Sequence, residues 1–164
     1  MSGEKTRKIA VLGMGTAMYV VFSFFIKIPL INQIRTDLGY LVFGFFLNVF
    51  GWEATAVGVF GCIISNLLYS GTFPIGWAIG QTIIGVLCGL YFKKSDSPLL
   101  KCVVGALAVL LGIGVVKTLV ESFLFDLPLA LKFVRGLVAS VADAIPFIFG
   151  ILLSEKIPYF KEMD

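Results

Sequence analysis

The chain has 164 residues, 59% of them hydrophobic and 14% charged, with a formal net charge of +3 and a mean hydropathy of +1.00. A soluble core of this length cannot bury that much apolar side chain, so the chain reads as an integral membrane protein, and its small charge calls for no nucleic-acid partner. Cys62, Cys88 and Cys102 have no paired spacing and histidine is absent, which argues against a disulfide framework, a metal site or histidine-based hydrolysis.

Apolar segments over about 8–26, 38–50, 54–68, 75–92, 99–124 and 133–153 predict an all-α bundle of six transmembrane helices forming a single domain over 1–164. The second and third are short against the roughly 20 residues that a perpendicular span needs, so they are expected to pair inside the bundle or to cross only part of the bilayer. Pro29 with Asn32, Gly51, Gly71 with Pro74, 95–98 and 126–128 supply the breaks. Lys5, Arg7, Lys8, Lys93, Lys94, Lys101, Lys156 and Lys161 fall on the side of the termini, against Lys27, Arg35, Lys132 and Arg135 on the other, which predicts cytoplasmic termini. The first apolar run is long and no small-residue cleavage site follows it, so it reads as a retained helix rather than a secretion signal.

Small residues four apart mark close helix contacts: Gly13 with Ala17, Ala54 with Gly58, Gly76 with Gly80, and Gly85 with Gly89. The stretch 112–118, GIGVVKT, echoes a phosphate loop, but Val116 stands where the glycine before the lysine is required and the segment is apolar helix. No serine-centred nucleophile motif is present either. The chain is therefore expected not to be an enzyme and to need no cofactor.

Lys117 and Glu121 lie one turn apart in an otherwise apolar helix, where an unpaired charge costs about 2.5 to 3.5 kcal/mol at mid-bilayer. One reading has them neutralise each other along a helix face. The other has them line a polar pocket together with Arg135 and Asp143 of the next segment, the antiparallel helices forming two cross-helix charge rungs. Asn66 and Tyr69 end the third segment on the same side of the membrane, and Trp77 and Gln81 begin the fourth there. These eight residues are the expected substrate-binding set, with Tyr69 and Trp77 also suited to an aromatic belt.

The stretches KTRKIAVLGMGTAMYVVF, TDLGYLVFGFFLNVFGWEATAVGVFGCIISNLLYSG and TFPIGWAIGQTIIGVLCGLYFKK resemble the substrate-binding S components of energy-coupling factor (ECF) vitamin transporters, most clearly over 5–94. The resemblance implies a bundle that captures a vitamin or vitamin precursor in a pocket near the outer face, then docks on a membrane coupling protein carrying two ATPases. The family's first-helix Ala-x-x-x-Ala docking motif falls on Gly13 and Ala17, glycine preserving smallness at the first position. Its glycine-proline step appears as Gly51-Trp52, a departure that bears on subfamily more than on fold. A self-sufficient small secondary carrier or channel, relaying ions through Lys117, Glu121 and Asp143, is the competing reading, but the two halves of the chain show no internal symmetry.

Overall fold

The computed structural model describes residues 2–25, 27–29, 35–125 and 129–157. Asn32, Lys161 and the break at 126–128 lie outside them. Helix α1 (Ser2–Phe25) leads into two short strands, β1 (Lys27–Pro29) and β2 (Arg35–Asp37), paired antiparallel with Ile28 opposite Thr36. This ribbon was not foreseen: strands of three residues carry no readable alternation, and the region read only as a loop. Then follow α2 (Gly39–Phe50), α3 (Thr55–Ser70), α4 (Ile75–Phe92), α5 (Pro98–Phe125) and α6 (Leu129–Lys156).

Among the described residues, five helical stretches are long and apolar enough to cross a membrane: Gly3–Phe25, Gly39–Ser70, Ile75–Phe92, Pro98–Phe125 and Leu129–Lys156. The second is not one rod. Gly51 adopts φ 64° and ψ −145°, a conformation closed to residues with a Cβ, and a single 3₁₀ turn (Gly51–Ala54) reverses the chain. As a result Gly58 packs on the Phe43 ring, and Gly39 and Gly61 both abut Tyr19. At 1.5 Å per residue the 12-residue α2 is only about 18 Å long. It is sheathed by its neighbours, with Tyr40, Phe43 and Leu47 fully buried.

Backbone contact holds the core helices together. Gly44 meets the Phe147 carbonyl and Gly150 meets the Leu41 carbonyl, so α2 and α6 touch with no side chain between them, as expected where apolar lipid gives helices little reason to associate except close packing. Beside this seam the Phe43 and Phe147 rings meet edge to face with centroids 5.8 Å apart. Helices α4 and α5 make a second such contact, where a Cβ on Gly80 would lie 2.7 Å from the Gly112 carbonyl oxygen. Around Gly112, residues Leu110–Lys117 widen into a π-helical segment, and the buried Thr118 hydroxyl donates to the Ile113 carbonyl at 3.3 Å. Helix α1 stands apart, with 17% of its apolar window buried against 44% to 50% for the others. Gly13 and Ala17 lie on its exposed side, and a Cβ added to Gly13 would meet nothing within 4 Å.

Candidate functional site

A cavity of about 130 Å³ opens at the end of the bundle capped by the β-ribbon. Its lining comes from Tyr19 and Ser23 of α1, Thr36 and Asp37 of β2, Cys62, Ser65 and Asn66 of α3, Trp77 of α4 and Asp143 of α6. Asp37 is the joint of this site. Its Oδ1 accepts the Gly39 N–H at 2.8 Å, an Asx-type turn that starts α2, and its Oδ2 accepts from the Ser23 hydroxyl at 2.8 Å. Its own N–H donates to Asp143 Oδ1 at 3.0 Å. One residue thus ties α1, α2, α6 and the ribbon together around the cavity.

Asp143 is 1% exposed, and its Oδ2 has no hydrogen-bond partner among the described residues. Asn66 donates to the Cys62 carbonyl at 2.9 Å. Gln81 is fully buried and does not line the cavity. Its Nε2 donates to the Tyr19 hydroxyl at 3.1 Å, so it positions the tyrosine whose side chain forms the wall.

Lys117, Glu121 and Lys132 form a separate charged cluster. Glu121 Oε2 receives Lys117 Nζ at 3.0 Å and Lys132 Nζ at 3.1 Å, all three side chains being largely shielded. Lys117 also lies over the Trp77 ring, 4.5 Å from its centroid. Gly76 makes room for this group, since a Cβ there would come within 2.9 Å of Glu121 Cγ. The pair expected from sequence therefore exists, but it reaches the cavity through Trp77 rather than by lining it.

Among the described residues, neither expected cross-helix charge rung is among the ion pairs. Helix α6 presents Gly136 and Ser140 to α5, against Thr118 and Gly114, and this register turns the adjacent Arg135 to the exposed surface. Asp143 engages the Asp37 backbone instead of Lys117, and Glu121 takes Lys132 instead of Arg135. Tyr69 is 50% exposed at the end of α3 and lies off the cavity wall. Of the eight expected residues, Asn66, Trp77 and Asp143 line the cavity; Gln81, Lys117 and Glu121 support it from behind.

A family model for the ECF-type riboflavin transporter S component matches residues 3–157. The chain belongs to this family. Among its relatives are a UPF0397 protein of Streptococcus thermophilus, 26% identical over 92% of this chain and 88% of the relative, and one of Lactobacillus acidophilus, 26% identical over 93% and 89%. The crystal structure of the S component for biotin from an ECF-type ABC transporter superposes with a TM-score of 0.69 at 18% identity, covering 95% of this chain and 93% of that one, and establishes the shared fold. S-component membership accounts for a multi-pass membrane protein.

Sequence reasoning missed Asp37, Ser23, Tyr19, Thr36, Cys62 and Ser65 as lining residues. Asp37 alone left a usable trace, an acidic residue two positions before a helix-starting glycine. Lys132, read only as an orientation signal, proves to be a partner of Glu121.

Proposed function

We propose that this chain is the membrane-embedded solute-binding subunit of an ECF-type importer, taking a vitamin-like heterocycle into the cavity beneath the ribbon. The cavity faces the outside of the cell. On this reading the chain crosses the membrane six times, α2 and α3 counting as two short crossings, and both termini are cytoplasmic, as the distribution of basic residues favours. Energy comes from a separate coupling protein and two ATPases, and the chain itself catalyses no reaction. The observation that carries the reading is the family match over residues 3–157, together with a polar cavity walled by Trp77 and Tyr19. Aromatic walls of this kind suit a flat ring.

The exposed small-residue face of α1 at Gly13 and Ala17 is the proposed docking surface for the coupling protein. Co-expression of the tagged chain with an ECF coupling protein and its ATPases tests the assignment. The three partners should copurify with the chain in detergent, and purification of the chain free of all of them contradicts the assignment. The secondary-carrier alternative fits less well, because Glu121 is held by two ammonium groups and has no mobile relay partner among the described residues.

A further inference from the structure

The cavity wall carries two carboxylates, Asp37 and Asp143, and no lysine or arginine among its described residues. Among the residues whose side chains are described, Lys117 and Lys132 are committed elsewhere, both sitting on Glu121 at 3.0 and 3.1 Å. Asp37 is spent on the fold, since its carboxylate accepts from Ser23 and Gly39. Asp143 is not. One oxygen takes the Asp37 N–H, while the other, on a residue 1% exposed and lining the cavity, has no partner among the described residues. A buried carboxylate oxygen left in this state is a standing acceptor, and the group that best satisfies it is a cation presenting N–H bonds in the plane of the carboxylate. Trp77, partly exposed on the same wall, supplies a flat apolar surface against which such a ring would lie.

We infer that the cavity selects a basic, planar nitrogen heterocycle, whose protonated nitrogen is held by the unpartnered oxygen of Asp143, and that it rejects anionic ligands. This inference rests on the solute-binding reading above and narrows it to a ligand class.

The probes are benzamidinium, benzamide and benzoate, which share a ring and differ only in the donors and charge of one substituent. Each is small enough for a cavity of about 130 Å³. Trp52 is exposed at the opposite end of α4, so the Trp52→Phe chain leaves Trp77 as a single fluorescent reporter on the cavity wall. Titrated in detergent, benzamidinium is expected to shift Trp77 emission saturably and to bind at least about tenfold tighter than benzamide, the effect of one charge-assisted hydrogen bond. Benzoate should not bind. In the same background, Asp143→Asn should erase the preference for benzamidinium over benzamide.

Benzoate binding as tightly as benzamidinium, no binding of benzamidinium, or an unchanged preference in the Asp143→Asn chain would each overturn the inference. If that variant does not fold, the ranking of the three probes on the otherwise unaltered chain decides alone. Copurification with the ATPase and coupling partners separates the two levels of the reading. A failed ranking with partners retained removes the ligand class only, whereas a chain that ranks the probes as expected but never recruits partners removes the importer assignment.

Discussion

The Asp37 N–H donates to Asp143 Oδ1 at 3.0 Å, joining residues 106 positions apart and fastening the ribbon to α6 at the mouth of the cavity. The bond makes Asp143 structural through one oxygen and leaves the other for a ligand. Asp143→Ala should therefore lower the thermal midpoint in detergent, reflecting about 1 to 3 kcal/mol for a buried donor left unpaired. Asp143→Asn, which keeps an acceptor for the Asp37 N–H, should stay near wild type. Equal losses for the two variants would show that the hydrogen bond does not fasten the ribbon.

Glu121 bridges two lysines, and its removal should be the costlier change in that cluster. Glu121→Gln strands Lys117 and Lys132 together, whereas Lys117→Met leaves Glu121 paired with Lys132. Breaking a buried pair costs about 3 to 5 kcal/mol, and a second ammonium group on the same carboxylate should blunt the loss for Lys117→Met to well under that. Thermal denaturation of both variants and of the double replacement gives the coupling directly, and a larger loss for Lys117→Met would contradict the bridge.

Two glycines of the same residue type should behave oppositely. Gly13→Leu, on the open side of α1, is expected to leave folding and solute binding near wild type while abolishing transport and copurification with the coupling protein, and Ala17→Leu should do the same. Gly112→Leu, against the Gly80 carbonyl oxygen and Ile84, should prevent folded protein from accumulating, because the backbones of α4 and α5 cannot separate cheaply. Size-exclusion profiles in detergent distinguish the two outcomes.

Gly51→Ala should destabilise by about 1 to 3 kcal/mol, since φ 64° with ψ −145° is a region only glycine occupies at low cost. A thermal midpoint unchanged by this substitution would mean that the reversal between α2 and α3 does not depend on that conformation.

The apolar runs and their punctuation made much of the helical layout legible. The run 75–92 lies between Pro74 and the lysines at 93 and 94, and coincides with α4. Helices α1 and α6 run further than their apolar runs, to Ser2 and Lys156, because a helix continues past its lipid-suited portion. Asp143 stood out as a charge in apolar sequence, but its partner is a backbone N–H, which every residue but proline carries and no pattern marks. Arg135 was misplaced because depth along a helix does not fix direction around it. Its neighbour Gly136 takes the contact with α5. The π segment was hidden for a related reason: a uniformly apolar run has no periodicity from which a shift of register shows.

The claim that this chain binds solute but depends on partners to move it is tested most directly by uptake into proteoliposomes. The solute retained on the purified protein, identified by mass spectrometry, would be offered in radiolabelled form to vesicles holding the chain alone or the chain with its coupling protein and ATPases. The account predicts binding without accumulation for the chain alone, even under an imposed proton or sodium gradient, and ATP-dependent accumulation once the partners are present. Accumulation driven by an ion gradient in vesicles holding only this chain would contradict it.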